Sequence, residues 1–297
     1  MGGKTPNTGR WGHSATHRTK RNMKTKSPTQ TTEVLWLTDL HLDRASPEQK
    51  SLLLDALAGI KYDKVVISGD VSNAANLCKH LRQLASACAP RPMYFVLGNH
   101  DYFGSGFLEV ESEVSELCRT VANLHHLDGR QIIPLGHGVC LMGHRGWADA
   151  RAGYGTRTVI DSSDRTQIND FSGLCRNGML QRMRELGSES ARVIRKTLPL
   201  ALTRFRHVVI VTHVPPFPDA VIYNSKPCAR THLPHFVNLS AGLAIRAIAS
   251  AFPKRRVTIL SGHSHSSSTT EILPNLTVRV GGARTGRPGV LEVIGFS

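Results

Sequence analysis

Five short polar clusters contain residues that could bind metal ions. They are Asp39-Leu40-His41, Gly69-Asp70, Gly98-Asn99-His100-Asp101, Thr212-His213 and Gly262-His263-Ser264-His265. Together they offer enough carboxylate, carboxamide and imidazole groups for two neighbouring ions. Such a mixture of nitrogen and oxygen ligands suits Mn, Fe, Zn, Co or Ni better than calcium. One cluster alone would indicate only a turn or a helix cap, but five in succession are not explained in that way.

The spacing within the clusters predicts which side chains act together. In an extended segment side chains alternate, so Asp39 and His41 would leave the chain on the same side and bind one ion. His263 and His265 are also two residues apart, and each could serve a different ion from one turn. Asp70 has two carboxylate oxygens and could bridge both ions, and the glycine before it lets the backbone approach closely.

The second ion needs further ligands. Asn99 would provide a neutral oxygen and His213 a nitrogen.

Apolar runs precede the clusters and predict the strands that position them. They span residues 33–37, 64–68, 93–97, 207–211 and 256–260. Helical patterns follow the first three runs at 46–60, 73–87 and 107–121. Strands that alternate with helices indicate a parallel sheet with right-handed crossovers, and ligands gather at the carboxyl ends of such strands. The sequence therefore predicts an α/β fold with the polar clusters at one edge.

The remaining segments are less regular. Short strands are predicted at 132–134 and 139–142, and helices at 176–202, which contains Gly187, and at 239–251. Residues 269–273, 276–281 and 290–294 are predicted to form antiparallel strands at the end of the chain.

The clusters, in order DxH, GD, GNH[DE], H and GHxH, resemble the pattern of the calcineurin-like metallophosphoesterase superfamily over about residues 33–265. The resemblance implies a four-layer α/β/β/α fold, a β-sandwich flanked by helices. It also implies two metal ions and a bridging hydroxide that attacks phosphorus in line. The ligands it implies are Asp39, His41, Asp70 and His265 for the first ion, and Asp70, Asn99, His213 and His263 for the second.

The resemblance also implies two catalytic residues. His100 would stabilise the transition state or protonate the leaving oxygen, and Asp101 would pair with it and favour the cationic imidazole.

One departure from the family pattern bears on the substrate. Many members read GDxxDR, whereas this chain reads GDVSNA from Gly69, so the arginine with which phosphoprotein phosphatases clamp a phosphomonoester is absent. Arg145 or Arg151, in a loop rich in Gly and Arg, could replace it, and Tyr223 and Asn224 could shape the rim of the pocket. The loop resembles that of bacterial members described only as phosphohydrolases.

The formal net charge is +15, and much of the excess lies near the N-terminus. Residues 1–32 contain seven basic residues and no acidic one. Because this segment is poor in apolar residues, we expect a disordered basic tail at 1–32 and one folded domain at 33–297. The tail could bind nucleic acid or another polyanion.

The chain has neither an apolar stretch of about 20 residues nor an N-terminal signal segment, which predicts a cytoplasmic protein without a membrane span. Its six cysteines are scattered, which predicts reduced thiols and no cysteine zinc site.

Three functions fit these patterns. The first is a metal-dependent hydrolase of a small phosphomonoester or phosphodiester. The second is a nuclease that uses the same two metals and holds DNA or RNA with its basic residues. The third is a non-catalytic binding scaffold that kept the fold, although such proteins tend to lose the residue at the position of His100.

Overall fold

The computed structural model describes residues 1–4, 31–158 and 162–297. Strands and helices alternate through most of this length. The strands are β1 (Thr32–Leu37), β2 (Lys64–Ser68), β3 (Met93–Val96), β4 (Leu124–His126), β5 (Ile133–Gly136), β6 (Val139–Gly143), β7 (His207–Val211), β8 (Ile222–Tyr223), β9 (Lys226–Pro227), β10 (Arg256–Ser261), β11 (Ser268–Leu273), β12 (Leu276–Val280) and β13 (Glu292–Phe296). The helices are α1 (Pro47–Gly59), α2 (Ala74–Cys88), α3 (Phe107–Thr120), α4 (Asp164–Gln167), α5 (Arg176–Arg204), α6 (Leu233–Phe236) and α7 (Leu239–Ala251).

Two sheets form the centre of the fold. The first has the order β13-β1-β2-β3-β4, in which β1 to β4 are parallel and β13 is antiparallel to β1. The second has the order β11-β12-β10-β7-β6-β5, in which β12, β10, β7 and β6 are parallel and both edge strands are antiparallel. The α/β architecture predicted from the sequence is confirmed.

Alternate side chains of each strand enter different layers. In β1, Leu35 and Leu37 pack in the cluster that includes α1, α2 and α3, whereas Val34 and Trp36 pack between the sheets. In β7 the side chains alternate in the same way between α5 and α7 on one face and the first sheet on the other. Since both faces of the central strands are buried, β2, β3, β6 and β7 are almost continuously apolar, whereas the edge strand β11 is partly exposed. The resulting order of layers is the predicted α/β/β/α.

Local sequence signals determine several element boundaries. Pro47 occupies the first turn of α1, and the hydroxyl of Ser46 accepts a hydrogen bond from the amide of Gln49 at 3.3 Å. Gly187 lies inside α5, where a Cβ would overlap the Cβ of Asp149. The glycine that lowers the helix propensity of this segment thus allows a neighbouring loop to pack closely on the helix.

The end of the chain differs from the prediction. β11 and β12 form the expected antiparallel pair, but β12 also pairs in parallel with β10. β13 leaves this sheet and pairs antiparallel with β1 in the other one. The prediction of three consecutive antiparallel strands is therefore wrong in the last strand, whose partner is more than 250 residues away in sequence.

Most of the predicted basic tail, at residues 5–30, lies outside the described residues, and its disorder stays a prediction. The six cysteines are free thiols. In the described ranges, no helix is both long enough and apolar enough to span a membrane.

Candidate metal centre

The polar clusters lie at the carboxyl ends of five strands that belong to both sheets. The clusters after β1, β2 and β3 come from the first sheet, and those after β7 and β10 come from the second. Hydrogen bonds join them: the amide of Asp39 donates to the carbonyl of Gly69 at 3.0 Å, and the Nδ1 of His213 lies 2.9 Å from the carbonyl oxygen of Ser68 in the other sheet. The edge predicted from the strand pattern is thus shared by the two sheets.

Four side chains form a first group of potential metal ligands. Asp39, His41, Asp70 and His265 each offer one ligand atom, and these atoms lie within 4.8 Å of one another. The Nε2 atoms of His41 and His265 are 3.0 Å apart, and the Nε2 of His265 is 3.4 Å from the Oδ1 of Asp39. Asp39, His41 and Asp70 are buried.

A second group lies on the other side of Asp70. The Oδ1 of Asn99 is 3.1 Å from the Nε2 of His213 and 3.1 Å from the Nδ1 of His263, and these two nitrogens are 3.2 Å apart. The Oδ1 of Asp70 is 3.4 Å from the Nε2 of His213. The structure thus brings together all seven of the residues that the sequence proposes as ligands.

Hydrogen bonds on the outer side of the second group orient its ligand atoms inward. The Nδ1 of His213 faces the carbonyl of Ser68, and the Nε2 of His263 faces the carbonyl of His235 at 2.9 Å. Each of these nitrogens therefore carries a proton, so the inward nitrogen of each ring offers a lone pair to a cation when the ring is neutral. Because two nitrogen lone pairs and an amide oxygen then face one another, the donor set fits a cation.

The electrostatics of the site also favour positive charge. Burial lowers the pKa of His213, but the carboxylate of Asp70 outweighs burial and raises that pKa to about 10. Burial likewise raises the pKa of Asp70, but the charge of His213 and its hydrogen bond hold it well below its usual range. Asp70 is therefore an anion that attracts a proton or a metal ion to the centre.

Three glycines of the clusters permit this close approach. A Cβ on Gly69 would lie 2.5 Å from the Nδ1 of His213, and a Cβ on Gly98 would overlap the Oδ1 of Asp70. A Cβ on Gly262 would overlap the Oδ2 of Asp39. Each glycine is thus required because a candidate ligand from another strand packs against its backbone.

The backbone of the ligand loops differs from the prediction. Asp39 and His41 have φ angles of 48° and 41°, so they lie in left-handed turns and not in the extended segment expected for DxH. Asp70, His263 and His265 have φ angles of 54°, 71° and 57°. Such strain is common at functional sites, where the surrounding structure holds it in place.

The predicted pairing of His100 with Asp101 is wrong. Asp101 is fully buried, and its carboxylate accepts hydrogen bonds from the amides of Ser72 and Gly98 at 2.9 and 2.8 Å. Both carboxylate oxygens of Asp101 thus hold the backbone of the loop and do not orient the imidazole of His100. The Nδ1 of His100 lies 3.4 Å from a guanidinium nitrogen of Arg44, and burial lowers the pKa of His100 to about 4. The ring is neutral near pH 7.

Arg145 does not point into the centre as a phosphate contact. Its guanidinium pairs with Glu111 and lies 3.5 Å from Glu189 and 3.2 Å from the hydroxyl of Tyr102. The positive charge of Arg145 is therefore paired within the protein, whereas the sequence analysis expected it to contact a substrate phosphate.

Arg151 is also occupied elsewhere. It lies 3.2 Å from the buried carboxylate of Asp149 and donates to the hydroxyl of Ser188 at 2.9 Å. It therefore links the loop to α5, and its predicted role as a phosphate contact is not supported by this geometry.

Tyr223 and Asn224 belong to the hairpin of β8 and β9. The ring of Tyr223 packs at a tilt of 48° against Phe236, which in turn packs against His263 at 5.1 Å between ring centroids. Asn224 occupies the turn of this hairpin with a φ of 50°. Both residues thus lie in a segment near the centre, and their predicted contact with substrate stays a prediction.

Sequence reasoning missed several residues around the centre. The carboxylate of Asp164 accepts a hydrogen bond from the side-chain amide of Asn99 at 2.8 Å, which turns the Oδ1 of Asn99 inward. Arg44 lies beside His100, and Arg284 and Arg287 line a cavity with Asp39. Arg44 follows the DxH cluster closely and could have been considered, but nothing in the sequence connects the others to the centre.

Comparisons with known proteins agree with this geometry. Residues 32–267 match the family model of the calcineurin-like phosphoesterases. A dimetal phosphatase from Danio rerio has a similar structure, with a TM-score of 0.53, 14% sequence identity, and coverage of 84% of this chain and 87% of that chain. The protein TT1561 of Thermus thermophilus gives a TM-score of 0.54 at 10% identity, with coverage of 90% of this chain and 99% of that chain. No curated protein sequence matches significantly.

At these identities the two structures show the fold alone, whereas the family model covers most of the chain. The chain therefore belongs to the calcineurin-like phosphoesterases, a family of hydrolases that use two divalent metal ions to cleave phosphoesters.

Proposed function

We propose that this chain hydrolyses small phosphomonoesters or phosphodiesters with two divalent metal ions bound by the two groups that share Asp70. The observation that carries the proposal is the position of this carboxylate. Its Oδ2 lies 3.7 Å from the Nε2 of His41, and its Oδ1 lies 3.4 Å from the Nε2 of His213. When bound, the two ions lower the pKa of a water molecule and neutralise charge on the phosphoryl oxygens.

His100 and Arg44 are proposed to act on the substrate from the side of the first group. The ring of His100 packs edge-on against His41, with 4.6 Å between centroids, and its Nδ1 faces Arg44. A neutral ring that accepts from Arg44 carries its proton on Nε2. This Nε2–H would donate a hydrogen bond to a phosphoryl oxygen, and Arg44 would contribute positive charge in place of the arginine that the GDxxDR pattern supplies in other members.

Asp164 is proposed to act as a positioning residue. Its hydrogen bond to Asn99 decides which end of the amide faces His213 and His263. Loss of this hydrogen bond would allow the amide to rotate and present its nitrogen to a cation.

The proposal is tested by hydrolysis of p-nitrophenyl phosphate and bis(p-nitrophenyl) phosphate with added manganese. Asp70→Asn keeps the shape of the side chain but removes the shared charge, and His213→Ala removes one ligand nitrogen. We expect each variant to lose kcat/KM by about a hundredfold or more and to bind less metal by elemental analysis.

His137→Asn provides the matched control, because His137 is exposed, lies in the β5–β6 turn and has a φ of 52° that asparagine tolerates. It should retain both activity and metal content. Full activity in Asp70→Asn and His213→Ala would contradict the proposal.

A nuclease remains the second candidate, favoured by the net charge of +15. A nuclease would cleave DNA or RNA with a steep dependence on salt, and removal of residues 1–30 would weaken it. Equal rates on long strands and on mononucleotide esters would argue against this function.

The scaffold candidate makes the opposite prediction to the hydrolase. Purified protein would bind no metal ion and would hydrolyse no ester with added manganese.

A further inference from the structure

A cavity of about 610 Å³ opens beside the candidate metal centre. Asp39 and His265 of the first ligand group line part of it. The loop of residues 281–290, in the connection from β12 to β13, contributes Arg284 and Arg287. The volume lies within the range of small-molecule sites, and two candidate metal ligands form part of the wall of the cavity.

The positive charges of the two arginines in this loop are not paired with a carboxylate of the described residues. Both side chains are exposed, and within the described residues neither forms an ion pair or a side-chain hydrogen bond. Among the described residues that line the cavity, Asp39 alone is acidic, and its carboxylate already faces His265, the hydroxyl of Thr38 and the amide of His263. The cavity therefore has a net positive wall next to the centre.

Backbone contacts hold the loop in place. The amide of Ala283 donates to the carbonyl of His265 at 3.1 Å, and the amide of Arg287 donates to the carbonyl of Arg284 at 2.9 Å. Gly286 has a φ of 76°, and a Cβ there would lie 3.4 Å from the carbonyl oxygen of Arg44. The loop is thus tied to a ligand residue and packs beside the turn that carries Arg44.

The other lining groups suit a small polar molecule. Ser266 and Ser267 line the cavity next to His265, and the apolar side chains of Ile222, Val290 and Leu291 line another part. The hydroxyl groups can bind phosphoryl or sugar oxygens, whereas the apolar part can contact a carbon skeleton.

We propose that Arg284 and Arg287 form a subsite for a second phosphoryl group of the substrate, so that the enzyme acts on small phosphoesters with another phosphate beyond the one cleaved. Guanidinium groups bind phosphate oxygens in a two-pronged geometry, and two unpaired positive charges match one phosphate dianion. This inference rests on the proposed hydrolase function for the cleavage step, but the binding step depends on the arginines alone.

The first test measures binding without catalysis. Metal-free protein is titrated with inorganic phosphate by calorimetry, and Arg284→Gln/Arg287→Gln should weaken the affinity about tenfold or more. The matched control is Arg255→Gln/Arg256→Gln, which removes the same charge from a separate cavity at the start of β10. The control should stay within about twofold of the unaltered protein. Equal weakening in both variants, or none in the first, would overturn the subsite.

The second test uses the manganese-loaded protein. Fructose 1,6-bisphosphate and fructose 6-phosphate compete with p-nitrophenyl phosphate, and the inhibition constant of the bisphosphate should be about tenfold lower or more. In Arg284→Gln/Arg287→Gln this difference should vanish, whereas the Arg255→Gln/Arg256→Gln control should keep it. Equal inhibition by the two sugars in the unaltered protein would also overturn the subsite.

The two proposals fail in different ways. If the loaded protein hydrolyses no ester while phosphate binding still depends on Arg284 and Arg287, the hydrolase proposal fails and the subsite stands. If it hydrolyses p-nitrophenyl phosphate but the double variant binds phosphate as before, the subsite fails and the hydrolase stands.

Discussion

Two loops of this protein, 143–155 and 281–290, are similar in composition but differ in what their arginines do. Both are rich in glycine and arginine. In the first loop, Arg145 and Arg151 are neutralised by carboxylates and tie the loop to its neighbours. In the second, Arg284 and Arg287 have no such partners among the described residues and line a cavity beside Asp39. Within these two loops, the presence or absence of a nearby carboxylate thus separates the structural arginines from those available to a ligand.

The partners that decide this difference are distant in sequence. Glu111 comes from α3 and Glu189 from α5, and both approach Arg145 only in the folded chain. Asp149 is close to Arg151 in sequence, but its burial against α5 and α7 is a tertiary feature. The comparison predicts that substitutions in loop 143–155 lower the stability of the protein. Substitutions in loop 281–290 should instead lower its affinity for a ligand.

The largest expected effect comes from Asp149→Ala. The buried carboxylate accepts hydrogen bonds from the amide of Ser240 at 2.8 Å and from Arg151, so its removal leaves these donors without an acceptor. We expect unfolding by denaturant to show a loss of about 3 kcal/mol. The exposed Asp55→Ala in α1 is the control and should change stability by less than about 0.5 kcal/mol. Equal effects of the two variants would break the comparison.

A smaller loss is expected for Arg145→Gln. The side chain is 13% exposed, but its two carboxylate partners are about 40% exposed, so solvent screens part of each interaction. The expected destabilisation is about 1–2 kcal/mol. Arg130→Gln serves as control, because that guanidinium is 88% exposed and its pair with Asp128 should contribute little. A loss in Arg145→Gln no larger than in the control would show that its ion pairs do not stabilise the loop.

A change of pH should also distinguish the two loops. Burial lowers the pKa of His144, which lies in loop 143–155 and whose Nδ1 accepts the amide of Gly146 at 3.2 Å. A histidine with a lowered folded-state pKa contributes stability above its unfolded pKa of about 6.5, and this is lost as pH falls. Between pH 7 and 5, the protection factors of the amides in loop 143–155, which compare measured exchange with the intrinsic rate at each pH, should fall.

His144→Gln is the matched variant for this measurement, since glutamine cannot titrate. It should remove the pH dependence in loop 143–155. Loop 281–290 contains no histidine or acidic residue and should show no corresponding change.

The smallest effect on stability should come from Arg284→Gln/Arg287→Gln. Since these exposed side chains lack ion-pair partners in the described part of the chain, the free energy of unfolding should change by less than about 0.5 kcal/mol. A loss above about 1 kcal/mol would show that the second loop, like the first, uses its arginines for structure.

The strands and the members of the site could be predicted because their signals are local. Each apolar run is followed at once by its polar cluster, and the ends of parallel strands necessarily meet at one edge. The pairing of β13 with β1 could not be predicted, because it depends on which sheet edge is open after the other strands have assembled. Which loop arginines pair with carboxylates could not be predicted either, because that also depends on contacts between distant parts of the chain.

The pair of His100 and Asp101 shows another limit of sequence reasoning. The family resemblance implied a direct contact, but in the short turn after β3 the carboxylate points inward to two backbone amides. Buried amides without a partner are costly, so they compete with the imidazole for the same oxygens. Whether the amides or the imidazole contact the carboxylate depends on the path of the backbone at Ser72, which lies in the connection after β2.

The left-handed backbone at the candidate ligands limits how this centre could be redesigned. Asp39, His41, Asp70, His263 and His265 all have positive φ angles. Aspartate and histidine are among the non-glycine residues that tolerate this conformation best, so one residue type meets both the chemical and the backbone requirement. Exchange for glutamate or cysteine to change metal preference would add backbone strain at each position, at most about 1–2 kcal/mol. Libraries that vary the metal should therefore exchange aspartate, asparagine and histidine among themselves.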